Sequence, residues 1–347
     1  MFRSIHPRSI LFASITALTT PALWALPSQY HVTYLGRDIY GERINASGQA
    51  AVLEHVIGEG YRPALWSNGT VIDLPVPGFK HGGAYALNDL GVVVGVANGG
   101  KIEHAAMWSS PSQFVDLGGL FASKSSHIMG INNQGDCAMV AYVEDHGRRG
   151  QRSFFARGCT HPQNIGEIGG NYTYVERINS AGQLAGYSQV REGETDMRAY
   201  LWTEGQMKLL GPCRNTTSSG SLGLNDHGHV VGFCNNGAYA PQAGFYYDGI
   251  ELIRIGDLGG GESVARAINN ADVIVGGSKT AGKQWHPFVL DRGAVPHRLH
   301  DLQAMLDSSG AGWALDRADD VNDAGQILVH GTFQGLKNQF AILTPVE

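Results

Sequence analysis

Side chains suited to acid–base chemistry and to ligand binding recur at two fixed positions ahead of a repeated Asn. These positions lie three and five residues before that Asn, and they differ in chemistry from copy to copy. The candidates they supply are Tyr40, Glu42, His127, Tyr174, Glu176, Arg266, Arg317 and Asp319. Paired carboxyls can act as acid and base, and arginine binds anionic groups. Packing asks for similar residues in every copy, so the varying positions are better candidates for function. Glu42 and Glu176 are the catalytic candidates, and the other six are binding candidates.

These positions belong to a segment that is repeated seven times. Each copy has an aliphatic residue, the Asn, two polar or small residues, a turn position and then an apolar run. The repeated residues are Asn45, Asn88, Asn132, Asn179, Asn225, Asn269 and Asn322, at intervals of 43 to 53 residues. This spacing is typical of blades in a β-propeller. We expect the strand before each Asn to lie nearest the ring axis, so that the variable side chains face one polar channel.

The pattern of residues within each repeat predicts four strands. Asn-x-x-Gly has the composition of a tight turn, and a third strand carries aromatic residues such as Trp66 and Trp108. Repetition of these rings favours packing between blades over a carbohydrate-stacking surface. The segment 30–36 resembles an isolated fourth strand, whereas the last copy ends after its third at 340–344. The prediction is an all-β, seven-bladed β-propeller of four-stranded blades, closed by pairing N- and C-terminal strands.

The repeat also resembles a known family. The recurring Ile-Asn-x-x-Gly-x-Val-Val-Gly, the Ala-Phe/Leu-Trp strand and the Asp-Leu-Gly-Gly ending are similar to the HAF repeats of bacterial extracellular proteins. The resemblance covers nearly the whole mature chain. It departs at Asp272, which replaces the turn Gly, and in the long final interval, where a short helix is expected around 301–306. The resemblance implies a secreted β-propeller-like repeat protein and supplies no catalytic residues.

The N-terminus predicts export. Arg3 and Arg8 precede a largely apolar run over 10–24, and Ala22 and Ala25 are small residues suited to signal cleavage. A membrane anchor is the alternative, but the run is shorter than the ~20 residues that a spanning helix needs. We therefore expect a signal peptide at 1–25, a single propeller domain at 26–347, a secreted or periplasmic protein, and no stable membrane span after cleavage.

The net charge of the chain restricts the classes of partner that it can bind. The predicted signal segment holds two of the 25 basic residues, which leaves 23 basic against 31 acidic residues in the mature chain. This acidic chain has no basic cluster that could neutralise a row of phosphates. The sequence therefore predicts a protein or carbohydrate partner and no nucleic acid.

The four cysteines fit an oxidising compartment. Three pairings are possible. We favour Cys137 with Cys159, which a hairpin would bring together, and Cys213 with Cys234, which would tie neighbouring blades. A thiolate metal site is the rival interpretation, but no two cysteines have the short spacing of such sites.

Three other motifs invite a functional interpretation. The segment 277–283 resembles a phosphate-binding loop, but it leads into a strand, so we predict a hairpin loop. The pair His227 and His229 has a spacing found in metal sites, but a solvated turn is the expected explanation. The Asn-Asp turns offer too few carboxylates for calcium. We therefore expect no metal and no cofactor.

Two functions from different classes remain. The first is an exported binding or scaffolding protein that recognises a protein or glycan through one face, which the absence of local catalytic motifs favours. The second is a polysaccharide hydrolase or lyase, in which Glu42 and Glu176 would serve as acid and base if they stood within ~5 to 10 Å of each other.

Overall fold

The computed structural model describes residues 26–346 apart from 124, 146, 238–241 and 292–297. The predicted signal peptide at 1–25 lies outside the described residues. The described chain forms seven four-stranded antiparallel sheets, together with 3-10 helices at Gly118–Leu120, Arg157–Cys159, Leu302–Met305 and Ser308–Gly310. Within the described ranges, no helix is both long and apolar enough to cross a bilayer.

The strands follow in chain order, and each sheet is one blade. Strand β1 (Gln29–Tyr34) precedes blade 1, which contains β2 (Ile39–Ile44), β3 (Ala50–Val56), β4 (Gly60–Ser67) and β5 (Thr70–Asp73). Blade 2 contains β6 (His81–Leu87), β7 (Val93–Asn98), β8 (Glu103–Ser110) and β9 (Gln113–Asp116), and blade 3 contains β10 (Ser126–Ile131), β11 (Cys137–Asp145), β12 (Arg148–Ala156) and β13 (Gln163–Asn164). Blade 4 contains β14 (Thr173–Ile178), β15 (Leu184–Gln189), β16 (Met197–Thr203) and β17 (Gln206–Leu210), and blade 5 contains β18 (Ser218–Leu224), β19 (Val230–Asn235), β20 (Ala243–Tyr247) and β21 (Leu252–Arg254). Blade 6 contains β22 (Gly259–Ile268), β23 (Ile274–Thr280), β24 (Trp285–Asp291) and β25 (Arg298–Asp301), and blade 7 contains β26 (Trp313–Val321), β27 (Ile327–Phe333) and β28 (Leu336–Val346).

Blade 7 closes the ring with strands from both ends of the chain. Strand β1 pairs antiparallel with β28 in a register that runs from Gln29 opposite Val346 to Tyr34 opposite Ala341. Tyr30 and Val32 are buried in this blade. The pairing covers an edge of β28 that would otherwise expose unpaired backbone groups. The predicted fold and its closure are confirmed.

A β-bulge interrupts the innermost strand of every blade. Each register shift falls three residues before the repeated Asn, so that Glu42 in blade 1 and Glu176 in blade 4 are skipped in the pairing. The other skipped residues are Tyr85, Met129, Leu222, Arg266 and Asp319. A bulge re-aims the side chain of its extra residue. The repeat thereby sets one variable side chain per blade apart from the regular sheet alternation.

The Gly of the recurring Val-Val-Gly permits close approach beside the bulge. A Cβ at Gly95 would lie 1.9 Å from the carbonyl oxygen of Gly83, and one at Gly186 would lie 2.0 Å from that of Tyr174. Any side chain at these positions would push the second strand away from the inner strand. The Gly thus permits this close approach in the blades that carry it, whereas blades 1, 3 and 7 have Val52, Met139 and Val329 at the same position beside their bulges.

The repeated Asn residues form a closed ring of hydrogen bonds. The Nδ2 of Asn45 donates to the backbone carbonyl of Asn88 at 3.2 Å, and the same contact recurs around the ring until Asn322 donates to Asn45 at 2.8 Å. The intervening donors are Asn88, Asn132, Asn179, Asn225 and Asn269. Each Oδ1 also accepts backbone N–H groups of its own turn, as at Asn132. One side chain therefore shapes the turn and joins it to the next blade.

The apolar core lies between adjacent blades. Trp108, fully buried, packs with residues of blades 1 and 2, and its Nε1 donates to the carbonyl of Pro75 at 2.7 Å. Tyr200, Phe245 and Phe288 occupy comparable buried positions in third strands. The prediction that these aromatic residues are core is confirmed.

Both favoured disulfides are present. Cys137 pairs with Cys159 in blade 3, and Cys213, after β17, pairs with Cys234 in β19, joining blades 4 and 5. The segment 277–283 lies at the hairpin between β23 and β24, as predicted. The helix expected around 301–306 is the 3-10 helix Leu302–Met305, whose N-cap Asp301 accepts from the backbone N–H of Gln303.

Candidate functional site

The inner strands enclose a cavity of about 720 Å³ at one end of the ring axis. All seven bulged residues line it. Sequence-predicted residues in its lining are Glu42, His127, Tyr174, Glu176, Arg266, Arg317 and Asp319. Tyr40 is not in the lining, because its ring packs against Tyr61 and Phe340. The structure therefore brings seven of the eight candidates together.

Two buried carboxyls face the cavity from blades 1 and 4. Burial raises the pKa of Glu42 to about 7, although the positive charge of Arg43 opposes this shift. Burial likewise raises the pKa of Glu176 to about 7, against the effects of Arg43 and Arg266 and with a further increase from the charge of Glu42. These groups therefore exchange protons near neutral pH, as acid–base catalysis requires.

Arg43 lies between the two carboxyls. Its Nη1 donates to the backbone carbonyl of Glu42 at 2.8 Å, and its Nη2 is 4.0 Å from Glu176 Oε2. Glu176 therefore lies near the arginine of blade 1, although Arg177 follows it directly in the chain. Arg177 instead pairs with Asp320, so the pairs join different blades because the bulge turns neighbouring side chains in different directions.

Blades 6 and 7 carry a second charged cluster. Arg317 Nε donates to Asp319 Oδ1 at 2.8 Å, and Arg266 Nη1 is 3.6 Å from the same oxygen. Burial lowers the pKa of Arg266, and the carboxylate of Asp319 opposes that shift. Arg266 remains 39% exposed, so its charge can reach a molecule in the cavity.

Aromatic groups complete the wall. The rings of Tyr85 and His127 are 6.0 Å apart, and His127 Nε2 lies 3.1 Å from Glu103 Oε2. Tyr174 stacks against Tyr172 and Tyr187 with interplanar angles of 6° and 19°. Half-buried tyrosines of this kind present both an apolar face and a hydroxyl to a ligand.

A buried ion pair closes the inner end of the cavity. Arg177 Nη2 lies 2.9 Å from Asp320 Oδ1, and Asp320 Oδ2 accepts the backbone N–H of Ile44 at 3.0 Å. A separate recess of about 200 Å³, lined by the Asn turns and by aliphatic residues such as Ile44, lies at the other end of the axis. The Arg177–Asp320 pair therefore lies between the larger cavity, which Arg177 lines, and this recess, which Ile44 lines.

Arg43, Arg177 and Asp320 were not among the candidates predicted from the sequence. They stand two residues before the repeated Asn, where the other copies have Ala or Gly. Three charged residues among small ones were the available signal. Repeat positions predicted which side chains converge, but they carried no information on which would pair.

Comparison with known proteins supports the fold. No protein-family model matches this chain, and no curated protein matches it. Among solved structures, the β-propeller domain of the Trilobed protease from Pyrococcus furiosus has a TM-score of 0.56 at 8% identity, covering 92% of this chain and 94% of that chain. A catalytically inactive variant of virginiamycin B lyase from Staphylococcus aureus with quinupristin has a TM-score of 0.55 at 12% identity, covering 92% of this chain and 99% of that chain.

A third similar structure is YCF48 bound to D1 peptide, with a TM-score of 0.54 at 10% identity, covering 95% of this chain and 100% of that chain. At these identities the similarity establishes the architecture alone. The protein is a seven-bladed β-propeller repeat protein.

Proposed function

We propose that this β-propeller is an exported binding protein that recognises a protein or glycan segment through the face on which the axial cavity opens. The observation that carries the proposal is the convergence of all seven bulged residues on one axial cavity. Packing requires neither their chemical variety nor their charge. Pockets with a few convergent polar groups are the usual form of a ligand site.

The pocket's chemistry favours a polar segment that carries a carboxylate. Arg266 and Arg317 offer guanidinium groups for an anionic group, and Tyr174 offers a stacking surface for a sugar or aromatic ring. YCF48, which has the same fold, is bound to a peptide in its structure. A segment of a larger partner fits better than a whole domain, because the cavity holds only about 720 Å³.

Membership in the HAF-repeat family and export are part of this proposal. The seven Asn turns and the Val-Val-Gly strands support the family assignment, and the apolar N-terminal segment supports signal cleavage. Two disulfides are compatible with an oxidising compartment outside the cytoplasm.

The test is a binding screen with a cavity variant and a matched control. Neutral and uronic-acid oligosaccharides and a peptide library are probed with the exported chain, with Arg266→Gln, and with Arg191→Gln. Arg191 is an exposed arginine near Glu194 and outside the cavity lining. Losing a charge-assisted hydrogen bond should weaken binding at least about 10-fold in Arg266→Gln. Binding that is equally strong in Arg266→Gln and the other two proteins would contradict the proposal.

The second candidate is a polysaccharide hydrolase or lyase. It is favoured by one observation, the raised pKa of both Glu42 and Glu176 on facing blades. In hydrolysis, a protonated carboxyl would donate to the leaving oxygen while a carboxylate accepts a proton from water, which adds across the glycosidic bond. Glu42→Gln and Glu176→Gln should then abolish the release of reducing ends while leaving binding intact. Absence of turnover in the wild-type protein on every bound polysaccharide would reject the enzyme and leave the binding protein.

A further inference from the structure

The turn of the sixth repeat departs from the other six. Asp272 occupies the turn position with φ of 60°, where every other copy has a Gly, such as Gly228 at 77° and Gly325 at 75°. A residue with a Cβ is disfavoured in this region relative to Gly, although Asp is among the residues that tolerate it. The departure also places a carboxylate at a junction between two blades.

That carboxylate meets two histidines of the preceding blade. Asp272 Oδ1 lies 2.7 Å from Nδ1 of His229, and His227 belongs to the same turn. One ligand atom from each of the three residues lies within 4.8 Å of the others. The two histidines alone predict a solvated turn. The third group comes from the next repeat, 43 residues beyond His229.

The fold also brings the repeat positions of His229 and Asp272 together at other junctions between adjacent blades. The residue after the turn Gly in one blade faces the turn of the next, as Gln183 faces Gly228 and Gln326 faces Gly48. In those pairs the facing residues are Gln and Gly, which do not form a metal site. At the junction of blades 5 and 6, His229 stands in place of the Gln and Asp272 stands in place of the Gly. His227 adds a third side chain that can bind a metal.

Neighbouring groups orient the proposed ligands. Asn225 Nδ2 donates to Asp272 Oδ1 at 2.8 Å, and the hydroxyl of Tyr246 lies 3.0 Å from Nδ1 of His229. The Asn225 contact can remain as an outer contact that orients the carboxylate in the metal site. The Tyr246 hydroxyl contacts the nitrogen that binds the ion, so it must release that nitrogen when zinc binds. His227 is exposed, so its ring can rotate and the site is open to water.

We propose that His227, His229 and Asp272 bind one zinc ion between blades 5 and 6, with water completing a tetrahedral site. Zinc bonds to imidazole nitrogen and carboxylate oxygen are about 2.0 to 2.2 Å. His229 binds the ion through Nδ1 as the neutral tautomer that carries its proton on Nε2, Asp272 binds it through Oδ1, and these two atoms move apart to admit it. Two imidazoles and one carboxylate suit zinc and disfavour calcium and magnesium.

The test uses residues that the protein already carries at equivalent positions. Zinc chloride is titrated by calorimetry into the metal-free, untagged exported chain and into the variants Asp272→Gly and His229→Gln. Gly is the residue of the other six turns, and Gln occupies the His229 position in three repeats. His31→Ala is the matched control, because His31 lies 3.2 Å from Asp307 but outside the three-residue cluster.

The wild-type chain and His31→Ala should each bind one zinc per chain, with a rise in Tm that calcium and magnesium do not produce. Asp272→Gly should melt no lower than the wild-type protein without metal. Loss of a direct ligand should cost at least the ~10 to 100-fold in affinity that outer-shell changes cost in known sites. Failure of the wild-type chain to bind one zinc, or unchanged affinity in Asp272→Gly, would overturn the proposal.

Discussion

Arg177 and Asp320 meet across the ring axis at 2.9 Å, joining the inner strand of blade 4 to that of blade 7. Both side chains are largely buried, with 13% and 11% exposure. Asp320 also accepts from the backbone of Ile44 in blade 1. Three blades that are remote in sequence therefore share one carboxylate, which pairs with an arginine of the cavity lining.

Removing one member of this pair should destabilise the protein strongly. Asp320→Ala leaves the Arg177 guanidinium buried without its partner, and breaking a buried ion pair in this way costs about 3 to 5 kcal/mol. The double variant Arg177→Ala with Asp320→Ala should lose less than the sum of the two single losses. Urea denaturation of the four proteins measures the coupling, and strictly additive losses would contradict the contact.

The Asn ring should make a similar contribution at each blade. Asn132→Ala removes two acceptor contacts within the turn and one donor contact to Asn179, so that two partly buried N–H groups lose their side-chain acceptor. We expect a loss of roughly 2 to 4 kcal/mol in the free energy of unfolding. Gln134→Ala, in the exposed part of the same turn, is the control and should change stability little. Equal urea denaturation midpoints for Asn132→Ala and Gln134→Ala would show that the ring of Asn hydrogen bonds does not stabilise the protein.

The cavity carboxyls should make stability depend on pH near neutrality. In the folded protein the pKa values of Glu42 and Glu176 are raised to about 7 from 4.5, so the folded state binds more protons between these values. Their contribution is therefore complete below pH 4.5 and is lost as the pH rises through 7, by roughly 3 kcal/mol for each group. Burial raises the pKa of Asp320 to about 6, which acts in the same direction.

The measurement is urea denaturation at pH 5 and pH 7.5 for the wild-type protein and for Glu42→Gln with Glu176→Gln. The double variant should lose much less stability over this interval than the wild-type protein. Glu251→Gln, at an exposed position, should behave as the wild-type protein does. A wild-type protein that gains stability between these pH values would contradict the buried environment of the two carboxyls.

Ring closure should depend on the first strand. Deleting residues 26–35 removes β1 and the buried side chains of Tyr30 and Val32, and it exposes the edge of β28. Loss of this burial should lower the free energy of unfolding by roughly 4 kcal/mol, and the free edge should promote association. Denaturation and light scattering test this expectation. A truncated chain that stays monomeric with an unchanged midpoint would show that β1 is dispensable.

The sequence predicted the architecture because each device of the fold is local and repeated. The Asn turn, the strand that follows it and the aromatic third strand occur in every copy, so periodicity sufficed. The fourth-strand character of 30–36 then identified the closure, which the pairing of Gln29 with Val346 confirms. Both disulfides followed from the same placement of strands.

Contacts within the cavity could not be predicted in the same way. Arg177 and Asp320 are 143 residues apart, and only the ring geometry brings them together. Tyr40 shares its repeat position with His127, yet it packs against Phe340 instead of facing the cavity. Sequence periodicity specifies the blade and the level of a side chain, whereas its partner depends on the neighbouring blades.

The most direct test of cavity binding is a crystal structure of residues 26–347 with the tightest oligosaccharide or peptide from the screen. We expect ligand density in the axial cavity, with an anionic group near Arg266 and a ring against Tyr174. Density confined to the Asn-turn face or to the outer strands, with the cavity filled by water, would contradict binding in the axial cavity.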